Sequence, residues 1–369
     1  MLPSLGWIMA AGLAIGLSAG FIMHRADFCL VSAFRDPFLF RNPFMLRTVL
    51  LLVAASAVLF EIARGLGLLA FYPFPLLGAP SVSNIAGGAL FGFGMVLAGG
   101  CVVGTLYKMG AGSLVSGVAF GGLLAGSAVY AAIHPLWASF SRAATFFQGR
   151  ITVPQLLGLD PAAVVLPASI ATAFFLLKWR REGKWGRPAG PSGSIRPWAA
   201  AVLLAVVGLL AYVAVGMPVG ITTSYAKMAA YADSALFGGT LSNAAYFRAT
   251  PLDVVNPATG VVLRGGPGPA FDAIAAVQIP VVLGVVLGGA LSALSLREFA
   301  IRRKIPPAQF LAAFLGGSLM GLASRMAPGC NVWHLMGGLP ILAFQSILFV
   351  AGLFPGAWIG ARALDKIMS

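Results

Sequence analysis

Three cysteines, at positions 29, 101 and 330, are the residues of this chain whose type and placement best suit chemistry. Cys101 follows Gly99-Gly100 and Cys330 follows Pro328-Gly329, so each thiol comes directly after a backbone break in an apolar segment. Cys29 lies in a short apolar piece close behind the first long one. No two are spaced as CxxC, which counts against a disulfide framework, a zinc ribbon and a dithiol redox centre. A thiol in apolar surroundings stays neutral and donates a weak S–H hydrogen bond. Weak contacts repeated along a route suit conduction, because a permeant ion must leave each site as readily as it enters. The bland alternative is that each free Cys is a small buried hydrophobe. The matched placement of Cys101 and Cys330 favours function.

Other polar residues fall near these thiols. Gly100 and Gly329 supply the breaks, and a break at membrane depth is tolerated only where it lines a cavity or is buried in protein. Arg325, five residues before Cys330, can steer an anion or snorkel to an interface. Thr222, Thr223 and Ser224 can donate to oxyanions or act as glue between helices. His24, His334 and Lys108 flank the cysteines and read first as interfacial residues, and Trp333 beside His334 reads as a plug of one mouth. Glu61 and Arg64, three residues apart, read as a structural pair.

The elements that must position these groups are membrane helices. Apolar residues make up 59% of the chain and charged residues 9%, against about 25% charged in a soluble domain. The mean hydropathy is +0.93. Nine spans are expected, at roughly 4–23, 48–70, 84–107, 111–133, 153–177, 197–216, 275–296, 308–325 and 340–361, because a helix needs about 20 apolar residues to cross a bilayer. Phe28–Phe34 and Val219–Tyr231 are too short to cross and read as re-entrant or broken-helix pieces. The first span lacks a basic n-region and a small-residue cleavage pattern, so it is expected to stay in the mature protein.

A net charge of +14 would suggest nucleic acid in a soluble protein. Here most Lys and Arg sit in short connections, so the lipid bilayer and not nucleic acid is the expected partner. Three basic clusters, Arg35 to Arg47, Lys178 to Arg196 and Arg297 to Lys304, fall on one side of a nine-span chain. The positive-inside rule makes that side cytoplasmic, with the N-terminus outside and the C-terminus inside. Around the connection 234–274, Asp233, Asp253 and Asp272 balance Arg248 and Arg264, as suits an external loop.

The chain also repeats itself. Gly87 to Cys101 returns as Gly316 to Cys330 with seven identities in fifteen ungapped positions: Gly, Gly, Leu, Gly, Ala, Gly, Cys. With nine spans the two copies enter the membrane from opposite faces. That is an inverted-topology repeat, in which a binding site is expected near the midplane. The expected fold is an all-α polytopic membrane protein. Its first repeat covers 1–135, a connecting span and basic linker cover 136–196, and the second repeat covers 197–369.

The chain resembles the YeeE/YedE family of sulphur-compound transporters, the thiosulfate permeases in particular. The resemblance rests on Gly20 to Asp36 around Cys29, on Leu97 to Gly112 around Cys101, on Gly220 to Ser224, and on Leu296-Arg-Glu-Phe299 followed by Gly316 to Cys330. It departs from the family at Ala26-Asp27, at Arg325 and at Asn331-Val-Trp-His334. The resemblance implies a bacterial inner-membrane permease, not an enzyme and without cofactor or bound metal. Thiosulfate, or a closely related sulphur anion, would pass from one thiol to the next through S–H hydrogen bonds. The expected path residues, from this resemblance and from the polar residues weighed above, are Cys29, Cys101, Cys330, Gly100, Gly329, Thr222, Thr223, Ser224, Arg325 and His334. The alternatives are carriage of a selenium compound or another sulphur species, and, in a different class, a membrane thiol oxidoreductase or sulfurtransferase. A cytoplasmic sulphur-relay protein is a further expected partner at the basic face.

Overall fold

A computed structural model describes residues 2–69, 71–185, 193–236, 238–239, 243–255, 262–301 and 304–368. Arg187, Arg302 and Arg303 of the expected basic clusters lie outside the described residues. The first part of the chain forms α1 (Leu2–Arg25), α2 (Leu30–Leu39), α3 (Phe44–Gly65), α4 (Val82–Leu97), α5 (Val102–Gly110), α6 (Leu114–Ala143), α7 (Val153–Leu157) and α8 (Pro161–Arg181). The second forms α9 (Pro197–Val215), α10 (Thr222–Leu236), α11 (Ala245–Arg248), the hairpin β1 (Leu252–Val255) and β2 (Val262–Gly265), α12 (Ala273–Ser295), α13 (Pro307–Met326), a π-helical turn (Trp333–Gly338) and α14 (Phe344–Met368). Among the described residues, nine helical stretches are long and apolar enough to cross a membrane. The chain is an all-α polytopic membrane protein.

Local sequence accounts for the differences from the expected spans. The third span is broken into α4 and α5, because Gly99 takes a left-handed φ of +65° that ends one helix before Cys101 starts the next. The fifth span starts at Pro161 and not near 153. Gly158, with φ +67°, closes the short α7, and Asp160 then caps α8 ahead of a proline whose missing N–H costs nothing at a helix start. The two short apolar pieces are the helices α2 and α10, and α10 runs five residues further than expected. The connection 234–274 carries α11 and the β1–β2 hairpin, which apolar periodicity did not reveal.

Packing follows small residues. Gly16 and Gly20 of α1 lie against the backbone of Val281 and Val285 on α12, where any Cβ would overlap it. Gly92 of α4 meets Leu353 of α14 in the same way, and Gly126 of α6 meets Ser318 of α13. Lipid tails are as apolar as Leu, so close backbone approach and dispersion hold such pairs together. The pairs are exchanged between the two parts of the chain: α1 packs on α12 as α9 packs on α3, and α4 packs on α14 as α13 packs on α6. The short helices follow suit, α2 against α14 and α10 against α6.

The basic connections gather at one end. Arg47 donates to the Lys184 carbonyl at 2.5 Å and lies over the Trp179 ring, while Arg25 donates to the Gly193 carbonyl at 2.6 Å. At the other end, Glu61 accepts from Arg64 at 2.8 Å and from the Tyr72 hydroxyl at 2.8 Å, and Arg64 also reaches Asp160. The expected Glu61–Arg64 pair is therefore part of a structural brace.

Candidate functional site

Each cysteine stands at the start of a short helical piece. Cys29 precedes α2, and Cys101 caps α5, where its sulphur accepts from the Gly104 N–H at 3.2 Å. Cys330 precedes the turn that carries the π-helical segment, and its carbonyl accepts from the His334 N–H at 3.0 Å. Helix starts leave backbone N–H groups unpaired and carry the positive end of the helix dipole. Gly329 shows why a glycine is needed beside the third thiol. Its φ is +127°, and a Cβ there would lie 2.5 Å from Trp333 Cδ1 and 3.0 Å from His334 Nε2. Gly100 is less constrained, since a Cβ would meet Thr105 Oγ1 at 3.2 Å.

Cys101 and Cys330 are fully buried and Cys29 is half-buried. Cys101 and Cys330 belong to one buried cluster against which Cys29 packs, and Arg325 stands in the last turn of α13, five residues before Cys330. Two cavities flank this cluster. One, of about 920 Å³, is bordered by Asp27, Tyr107, Lys108, Arg196 and Glu298 at the end that holds the basic connections. The other, of about 390 Å³, is bordered by Tyr130, His134, Thr222, Thr223, Arg325 and Trp333 at the opposite end. The walls of these two cavities include none of the three cysteines.

Arg325 does not snorkel. It is buried, with Nη1 donating to Thr223 Oγ1 at 3.1 Å and to the Tyr246 hydroxyl at 3.4 Å, and Nη2 donating to Thr222 Oγ1. Among the described residues no carboxylate lies within ion-pair distance of it. A buried cation held by neutral hydroxyls keeps its charge uncompensated, and the second threonine helps to aim its planar fork. Ser224, expected beside those threonines as a donor, spends its hydroxyl on the Ile221 carbonyl at 2.6 Å, and its N–H goes to Gln278 Oε1 at 2.8 Å. It acts on the break before α10, outside the cavity wall.

His334, expected at an interface, is fully buried. Nδ1 lies 2.9 Å from Ser346 Oγ, and the ring stacks on Phe349 at 4.0 Å. The reason is the π-helical turn, which folds the residues after Cys330 inward. His24 pairs with Ser292 Oγ at 3.0 Å, and Lys108 donates to the Gly99 carbonyl at 2.8 Å, which bolts the break before Cys101. The Trp333 ring lies against Gly220 and Gly329 in the wall of the smaller cavity.

Several site residues escape a reading of the sequence. Tyr130, His134 and Tyr246 form an aromatic box beside Arg325, with ring centroids 5.0 to 5.4 Å apart. The i, i+4 spacing of Tyr130 and His134 was a signal, whereas Tyr246 comes from a connection with none. Asn331, directly after Cys330, is fully buried and turned toward Cys101. Lys227 is fully buried and donates to the Gly268 and Ala270 carbonyls, each at 2.8 Å, and to Asp272 at 2.7 Å. All three of its donors are satisfied, so it ties a loop and is not a site.

The chain is similar over most of its length to proteins named as transporters. A family model described as Sulphur transport matches residues 25–359. The chain is similar to the Thiosulfate transporter TsuA of Spirochaeta thermophila, at 29% identity over 372 residues that cover 94% of this chain and 98% of that one. It is also similar to the Thiosulfate transporter TsuA of Escherichia coli, at 25% identity with 95% and 94% covered. The Probable transporter YedE of Escherichia coli is 35% identical over 107 residues, 29% of this chain and 24% of that one.

Proposed function

The chain belongs to the Sulphur transport family, and on that premise we propose that it is a permease that imports thiosulfate or a closely related sulphur anion. The anion is captured at Arg325, passes Cys330, Cys101 and Cys29 in turn through weak S–H contacts, and leaves by the cavity that holds Lys108. No bond of the permeant is made or broken. The observation that carries this reading is the buried Arg325, held by neutral hydroxyls, in the turn before a buried cluster that contains Cys330 and Cys101. A soft terminal sulphur suits thiols, and neutral donors let a dianion move on where a deep Lys would hold it.

The same reading includes the architecture and setting. Residues 1–135 and 197–369 act as two inverted repeats joined by the span and basic linker at 136–196, in a bacterial inner membrane. The basic end faces the cytoplasm, which leaves the N-terminus outside and the C-terminus inside. A cytoplasmic sulphur-relay protein takes the anion at that basic face.

Uptake of labelled thiosulfate tests the proposal, in cells lacking their own uptake systems and carrying wild type, Cys101→Ser or Cys330→Ser. Uptake by wild type that vanishes in either variant supports the thiol path. Uptake that survives both reduces the cysteines to packing. No uptake by well-expressed wild type moves the substrate to a selenium compound or another sulphur species.

A further inference from the structure

Three buried side chains near the thiols hold polar groups that lack a strong partner. The Asn331 carboxamide faces the Cys101 thiol, a weak partner at best, and neither its oxygen nor its nitrogen makes any other hydrogen bond among the described residues. The Tyr225 hydroxyl is unpartnered, and Tyr225 packs in the same buried cluster as Cys330 and Cys101. Tyr107, in the helix that Cys101 starts, leaves its hydroxyl unpartnered in the same cluster. Buried polar groups in native proteins are almost always bonded, so each exception needs a reason.

Packing does not supply that reason. The Tyr225 ring is placed edge-on against Phe120 at 5.4 Å, and the Tyr107 ring edge-on against His24 at 6.1 Å. The rings are seated as phenylalanine rings would be, and only the hydroxyls are left over. The thiols beside them are soft, weak donors, whereas amide N–H and phenolic O–H are hard donors suited to oxygen.

Resting on the thiosulfate reading, we infer that Asn331, Tyr225 and Tyr107 form an oxyanion subsite. They donate to the sulphonate oxygens of the permeating ion while the thiols contact its terminal sulphur. The subsite requires an anion with both a soft sulphur and hard oxygens, and it disfavours soft anions that lack oxygen. Because its donors are neutral, it strips the hydration shell from the ion without trapping the charge.

The test titrates thiosulfate into the purified full-length protein in lipid nanodiscs, and records the thermal midpoint without ligand. Tyr225→Phe deletes a hydroxyl that no protein group uses, so its unliganded midpoint should equal or exceed that of wild type. Its affinity for thiosulfate should fall about ten-fold, as for one lost hydrogen bond to a charged partner. Asn331→Asp, the same shape with acceptors in place of donors, should abolish binding. Tyr225→Phe that melts and binds like wild type overturns the subsite and leaves the permease reading intact. A lowered unliganded midpoint in Tyr225→Phe also overturns the subsite, since the hydroxyl would then serve the fold. Wild-type protein that binds no thiosulfate overturns thiosulfate as the substrate, and the subsite with it.

Discussion

Arg325 on α13 donates to Thr223 on α10 at 3.1 Å, so the cation nearest the third thiol is aimed by the short helix that packs against α6. The residue is buried beside a cavity of about 390 Å³ and has no carboxylate partner among the described residues. If this charge captures the anion, its loss acts on binding more than on passage. Arg325→Gln should raise the KM for thiosulfate uptake about ten-fold or more, as for loss of a charge-assisted contact, with a smaller effect on the maximal rate. Arg325→Lys should recover part of the loss, since it keeps the charge without the planar fork. Uptake kinetics in cells expressing equal amounts of each variant decide this.

Gly126 makes a separate prediction about the fold. Any side chain there overlaps the Ser318 backbone, so Gly126→Leu should prevent α6 from seating on α13 and remove the monodisperse peak in size-exclusion chromatography. Gly121, on the same helix, faces open space, and a Cβ added to it would have nothing within 4 Å. Gly121→Ala should leave the peak intact and stabilise the helix by up to about 1 kcal/mol.

Much of this was legible in the chain itself, for identifiable reasons. The spans could be read because a bilayer demands about 20 apolar residues, and the break at Gly99-Gly100 could be read because glycine punctuates helices. The pairing of Arg325 with Thr222, Thr223 and Tyr246 was hidden, since those partners lie 79 to 103 residues away. His334 was misjudged because a π-helical turn shifts side-chain direction in a way that apolar periodicity does not encode. Lys227 escaped notice because its acceptors are carbonyls and an aspartate in a distant connection.

Asp160 supplies a pH signature. The Ala162 N–H, at 2.9 Å, and then the Arg64 guanidinium, at 2.8 Å, hold its carboxyl below the usual carboxylate range. A carboxyl with a depressed value in the folded state contributes stability above its ordinary value of about 4, and loses it as pH falls through the folded value. Wild type should therefore melt above Asp160→Asn at neutral pH, and the two should converge below about pH 4. Thermal melts of both proteins across that range provide the check.

The exchanged packing also bears on how the chain is made. α1, α4 and α6 lean on α12, α14 and α13, which are all synthesised later. The early helices therefore leave the ribosome with their glycine faces uncovered, and wait in the lipid until their partners arrive. Order of synthesis and order of pairing are opposed, and such long-range closure is slow. Completion of the last helix is the event that permits full assembly, because α4 has its α14 partner only then.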